Sequence, residues 1–307
     1  MLLLPQFVII GAQKAGSTFI HETLRQHPVL FLPRHETPIF EDPFYKEDQV
    51  QTSLHQALAA ARPGQIMGIK RPDYLGRPEC PARLARHLPQ ARLIAVLRHP
   101  IARAISAYYW YMQVGILPVR PLHEGLADLF DGISVRQNPK AQEVLRYGLY
   151  YQHLQRYGQF FAPPQILILL DRDLRTDARG ALQRVFAFLQ VPPDAPLDLQ
   201  RRPKQSVYAL PRLRWLAWAN RRFFYDSWLD AHKMLVLAQK ENCLARLAYY
   251  ACVAVDRLAL QPLFANTAPV LEPALVQALS DYYRQDVLAL QAWLNTDLSQ
   301  WLQAPGT

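Results

Sequence analysis

The chain is 307 residues long, 50% hydrophobic and only 19% charged, so it can bury a large core, and a disordered, collagen-like or coiled-coil chain is excluded. Its 34 Lys and Arg against 25 Asp and Glu give a net charge of +9, which favours anionic partners such as nucleotides, nucleic acids or acidic membrane surfaces without choosing among them. Cys80, Cys243 and Cys252 are too few and too scattered for a disulfide framework or a metal knuckle, and read as buried thiols of a reducing compartment.

The chain opens without a basic n-region, and no secretory signal is expected. Phe7-Val8-Ile9-Ile10 is a short β-branched and aromatic run that stops at Gly11, and a helical pattern follows from Ser17 to about Gln26, which reads as buried strand, glycine loop, helix. A helical stretch around Pro81–Leu88 precedes the apolar run Arg92–Leu97. After the turn at His99-Pro100, a long helix runs through Met112 with Ile101, Ile105, Tyr108 and Met112 on its buried face. Gln165–Leu170 is another continuous apolar run, followed by a helix over Ala178–Leu189. Pro273 opens a last helix whose Leu275, Leu279, Tyr282, Leu290 and Trp293 share a face, with Asp286 interrupting it.

Strands alternating with helices argue for an α/β chain, a three-layer α/β/α arrangement around a central parallel sheet. Residues from about 200 to 265 differ, with Trp215, Trp218, Phe223, Phe224, Tyr225 and Trp228 interleaved with Arg212, Arg214, Arg221 and Arg222. No repeat or low-complexity linker sets them apart, so residues 1–307 are expected to form one domain with an inserted helical cap at about 200–265. That stretch reads as an acceptor pocket, as helices packed on the core with their arginines in water, or as a membrane-surface element. The apolar run Leu247–Val255 spans only nine residues where a bilayer span needs ~20, so no stable membrane insertion is expected.

The chemistry concentrates at Gly11-Ala12-Gln13-Lys14-Ala15-Gly16-Ser17-Thr18, where small residues between a strand and a helix let backbone N–H groups approach an anion, aided by the helix N-terminus. Against the Walker pattern GxxxxGK[ST], both glycines are present, but Ser17 stands where the lysine belongs and the loop's lysine is Lys14. A routine kinase or NTPase is therefore disfavoured, and remains an alternative beside a basic module for nucleic acid or membrane. Close packing alone would also explain a glycine turn.

Together with Leu97-Arg98-His99-Pro100 and the helix through Ser106 to Tyr108, this loop resembles the sulfotransferases that use 3′-phosphoadenosine 5′-phosphosulfate (PAPS), in the branch that contains bacterial and heparan-sulfate-type members. Ile69–Tyr74 is similar to that family's EKTPxY segment, Leu170–Leu174 to its strand end "yEDL", and Phe188–Val191 to its helix end "FLGV". The resemblance is weakest over 200–270. It implies a P-loop-type fold and an enzyme with PAPS as donor and PAP as product, acting on a hydroxyl or amine, with no metal and no nucleic-acid partner expected. The many aromatics at 200–265 without a long lysine track point to a small organic acceptor, as in secondary metabolism, and the scattered cysteines without a signal or anchor to a cytoplasmic setting.

By the same resemblance, Gly11 to Thr18 hold the 5′-phosphosulfate and Arg98 with Ser106 the 3′-phosphate. Lys14, with Lys70 as a second cation, faces the charge that develops on the departing oxygen. The acceptor's proton needs a base, which resemblance places at Glu36, with His35 as the neighbouring rival. Arg201 and Lys204 are weaker candidates from a loop that covers the donor, while Arg103 is expected to face solvent or a carboxylate. Arg71 and Ile69 depart from the EKTPxY pattern, and Asp171 and Arg172 depart from the "yEDL" pattern, where they are expected to alter an ion pair rather than the site.

Overall fold

The computed structural model describes residues 3–193, 195, 197–199, 206–230 and 235–306. Its contacts group them into two units: Met1–Arg103, Leu149–Pro203 and Gln285–Leu298 form the first, and Ala104–Gly148, Lys204–Arg284 and Ser299–Thr307 the second.

The first unit is built on a five-stranded sheet of β1 (Phe7–Gly11), β2 (Leu30–Phe31), β3 (Ile66–Lys70), β4 (Arg92–Leu97) and β5 (Ile166–Leu170), in the order β2-β3-β1-β4-β5. Every neighbouring pair is parallel, with Val8 opposite Ile69 and Leu93 and with Ala95 opposite Ile168. Phe7, Ile9, Ile94 and Val96 point to one face, where they pack against Ile20 and Leu24 of the helix Ser17–Leu24 and Leu182, Val185 and Phe186 of the helix Ala178–Leu189. The alternate residues Val8, Ile10, Leu93 and Ala95 are just as fully buried, so the other face is covered too, which is why these strands read as unbroken apolar runs. Tyr157, in the helix Tyr150–Gly158, donates to the Tyr74 carbonyl at 2.8 Å.

The fold is therefore the expected three-layer α/β arrangement. The strands at Arg92–Leu97 and Ile166–Leu170 and the helix Ala178–Leu189 fall where the sequence places them. β3 carries no strand signature of its own, because Met67-Gly68 dilutes its apolar run. In the helix Pro273–Leu294 the buried apolar residues are Leu279, Tyr283, Val287 and Leu290, while Trp293 is 48% exposed. The stripe is thus rotated by one residue at Tyr283. Asp286 lies on it because its carboxylate accepts the N–H groups of Tyr151 and Gln152, each at 3.0 Å, at the start of the helix Tyr150–Gly158. Burial raises its pKa and those same N–H groups oppose the rise.

In the second unit, Ile105, Tyr108 and Met112 are buried as the spacing predicts. The Tyr111 hydroxyl donates to Glu143, and Tyr283 to the Leu145 carbonyl at 2.9 Å. Its arginine- and aromatic-rich stretch is not purely helical. Between the helices Leu210–Ala219 and Cys243–Val255 lies an antiparallel hairpin of β6 (Tyr225–Leu229) and β7 (Leu235–Gln239). The helices are joined by a buried pair in which Arg212 Nε and Nη2 meet both Asp256 oxygens at 2.9 and 2.8 Å. Cys80 and Cys252 are buried, whereas Cys243, at the first position of its helix, is exposed, contrary to the expectation.

Candidate active site

β1 ends at Gly11, where an added Cβ would stand 2.6 Å from Leu75 Cβ, so close packing accounts for this glycine. The chain then turns through Lys14 at φ 64 and Gly16 at φ 101 into the helix Ser17–Leu24. Gly16 serves as N-cap with no side-chain bond to the helix, and the N–H groups of Ser17 and Thr18 have no acceptor inside the helix. The loop is pinned to the sheet by Ala12 N–H donating to Val96 O at 2.7 Å. Gln13 is buried beside it, with Nε2 donating to Asp73 Oδ1 at 2.8 Å and Oε1 buried without a hydrogen bond.

Lys70, the last residue of β3, is 4% exposed, and its ammonium joins two segments. Nζ donates to Thr18 Oγ1 at 3.0 Å and meets Glu36 Oε1 at 2.9 Å. The strand end also fixes the segment that carries Glu36, since Thr37 N–H donates to Lys70 O at 3.0 Å and the Tyr74 hydroxyl donates to Thr37 O. At its start, the segment is held by His21, whose Nε2 donates to Pro33 O at 2.9 Å. Burial and the nearby Lys70 charge lower the His21 pKa and favour its neutral form. His35 is exposed at the surface.

Arg71 meets three carboxylates. Nη1 reaches Glu36 Oε2 at 2.9 Å, Nη2 reaches Asp73 Oδ2 at 2.9 Å, and Nε and Nη2 both bond Glu41. Glu41 is 1% exposed, and its pKa is raised: burial outweighs the attraction of a guanidinium that has two other anions to neutralise.

Arg98 Nη1 donates to Lys14 O at 3.2 Å, its own carbonyl accepts from Tyr150 Oη at 2.8 Å, and its Nε lies 3.7 Å from Asp171 Oδ2. Asp171 also takes Arg175 at 2.8 Å. This departure from the family pattern thus touches the candidate phosphate ligand itself. Arg103 is fully buried rather than in water, close enough to the buried Tyr150 hydroxyl for its charge to act on it. Ser106, in the second unit, is buried, and its hydroxyl lies 3.1 Å from that of Ser206. Arg201 and Lys204 lie outside the described residues.

Lys70, Thr18 and Glu36 therefore meet, and Gln13, Lys14 and Arg98 follow β1 and β4, all on the side of the carboxyl ends of β1, β3 and β4, where an open parallel sheet receives its ligands. The Glu41–Arg71–Asp73 group beneath them escaped sequence reasoning, although Arg71 in place of a threonine was its visible trace. Among the described residues no group of three or more His, Cys, Asp and Glu is placed to hold a metal ion, and no helix is long and apolar enough to cross a membrane.

A five-stranded parallel sheet with a glycine-turned loop and lysines at its carboxyl edge defines the class of P-loop-type group-transfer proteins. Residues 4–208 match the sulfotransferase domain family, and the chain belongs to it. Heparan sulfate glucosamine 3-O-sulfotransferase 3B1 of Mus musculus is 32% identical over 186 residues, 61% of this chain and 46% of the relative. The bifunctional heparan sulfate N-deacetylase/N-sulfotransferase 3 of Homo sapiens is 28% identical over 208 residues, covering 62% of this chain and 23% of that protein. The chain thus spans about half or less of the length of these curated relatives. The crystal structure of a sulfotransferase from Alicyclobacillus acidocaldarius superposes with a TM-score of 0.66 at 20% identity, over 97% of this chain and 99% of that one, which shows the shared fold.

Proposed function

We propose that this chain is a PAPS-dependent sulfotransferase acting on a hydroxyl or amine of a small organic acceptor. The observation that carries the reading is the Lys70 ammonium, which ties Thr18 of the anion loop to the carboxylate of Glu36, so that donor loop and base candidate share one buried cation. The residues fit the donor: an uncapped helix N-terminus and two left-handed loop residues suit a phosphosulfate, and the buried, unbonded Gln13 Oε1 awaits a donor.

When bound, PAPS supplies the sulfuryl group: the acceptor's oxygen or nitrogen bonds to sulfur as the bond to the 5′-phosphate oxygen breaks, and PAP leaves. Lys14 and Lys70 hold the charge on that departing oxygen. Glu36 receives the acceptor's proton at a carboxylate oxygen. Each of its oxygens has one cationic contact and retains a further lone pair for that proton. Arg98 holds the 3′-phosphate, and Ser106, Arg201 and Lys204 are assigned to the donor on the resemblance alone.

The aromatic density at residues 215–228, without a long lysine track, supports a compact organic acceptor over a polyanionic glycan. The three free thiols support a reducing, cytoplasmic setting. Calorimetric titration with PAP beside AMP tests the donor. Tight PAP binding with much weaker AMP binding supports the reading, and equal affinities overturn it. Transfer assays with phenols, alcohols and amines beside heparan sulfate then decide the acceptor class.

A further inference from the structure

In the second unit, the helix Cys243–Val255 and the turns that continue it to Leu263 have two unlike sides. One side packs. Trp215 Nε1 donates to Cys252 O at 2.9 Å, Tyr249 stacks near Phe224 with ring centroids 4.4 Å apart, and Asp256 is buried against Arg212. The other side carries Leu244, Leu247, Ala251 and Val255 at steps of three and four residues, which makes one stripe along the α-helix, and Leu258 follows in the wider helical turn Asp256–Leu260.

That stripe faces out: Leu244, Leu247 and Leu258 are 76%, 68% and 81% exposed. An ordinary surface helix turns its apolar stripe inward and its polar side to water. Arg246 and Arg257 are exposed beside it, with Tyr250 between them in sequence. Asp256 is the only acid between Asn242 and Leu263, and its charge is buried and matched by Arg212. Every exposed charge on this segment is therefore positive.

We propose that this face docks on the surface of an anionic lipid bilayer, with the helix lying in the plane of the interface. The leucines enter the boundary of the acyl chains, and Arg246 and Arg257 meet the headgroup phosphates. A helix of 13 residues is about 20 Å long, short of the hydrocarbon core, so it lies on the membrane and does not span it. Charge selects lipid over a second copy of the chain, because two such faces would bring like arginines together, whereas anionic headgroups neutralise them.

The test is co-sedimentation of the full chain with vesicles of phosphatidylcholine alone and of phosphatidylcholine mixed with phosphatidylglycerol, at low and high salt. The mixed vesicles should bind the chain and release it as salt rises, and neutral vesicles should bind it far less. Replacing both leucines, Leu247→Asp with Leu258→Asp, should lower the partition by tenfold or more, as expected from ~1.5 kcal/mol or more per buried leucine. Arg246→Gln should lower it about fivefold. Both sites are exposed, and an unchanged thermal midpoint confirms that each variant folds. Equal binding to both vesicle types, wild-type binding by the leucine variant, or a dimer that the leucine variant dissociates would each overturn the proposal.

Discussion

Arg71→Met should destabilise the first unit from beneath the candidate site, in a pH-dependent way. The guanidinium neutralises Glu41 and Asp73, which are 1% and 6% exposed, and it also holds the partly exposed Glu36. Methionine fills similar volume but leaves two buried carboxylates without their shared cation, a loss of about 3–5 kcal/mol when one partner of a buried pair is removed. At ~2–4 °C per kcal/mol for a chain of this size class, the thermal midpoint at neutral pH should drop by ~10 °C.

The sign with pH follows from Glu41. Its pKa is already raised by burial in the folded chain, so the folded state binds its proton more tightly than the unfolded state, and stability falls as pH rises from the unfolded value toward the folded one. Without Arg71, the folded value climbs further and this window extends upward, each added unit costing about 1.4 kcal/mol above it. Differential scanning fluorimetry from acidic to alkaline pH should show the variant close to wild type near the ordinary carboxylate range and increasingly destabilised above it. Arg71→Met with Glu41→Gln should recover much of the loss, since the uncompensated carboxylate is what costs. A pH-independent deficit, or a wild-type midpoint at alkaline pH, would refute the reasoning.

Lys70→Met should lower kcat by ~10²–10³ with a smaller change in PAP affinity, as expected when a cation acting on developing charge is lost; unaltered kcat in a single-turnover assay would leave Lys14 as the acting cation. Glu36→Gln should abolish transfer while calorimetry still shows PAP bound, and Glu36→Gln activity that His35→Ala then removes would move the base to His35. Arg98→Ala should weaken PAP far more than AMP and also loosen the loop, because Arg98 bonds the Lys14 carbonyl. Equal losses for PAP and AMP would strip Arg98 of its 3′-phosphate role.

Much of this site was legible because it is local in sequence. The loop from Gly11 to Thr18 follows its strand directly, and Arg98 stands one residue past β4, so position along the chain implied position in space. β4 and β5 were readable because burial on both faces leaves unbroken apolar runs. What stayed hidden depends on segments that meet only in the fold: Glu41, Arg71 and Asp73 carry no mutual spacing signal, and the Asp171 contact with Arg98 joins residues 73 apart in the sequence (171 − 98). The hairpin β6–β7 was masked by arginines and aromatic residues whose density read as amphipathic helix, and Asp286 looked like a blemish on an apolar stripe until its helix-capping bonds explained it.

That aspartate also sets a timetable. A ribosome releases the chain from its N-terminus onward, and a unit assembles only when its last segment has emerged. The helix Tyr150–Gly158 has its opening N–H groups sealed by Asp286, and through Tyr150 it bonds the carbonyl of Arg98. The glycine loop and β4 come first, yet this brace on Arg98 awaits a residue 188 positions further along the chain (286 − 98). A chain cut short before Asp286 would therefore carry nearly every candidate site residue with its Arg98 scaffold unfinished.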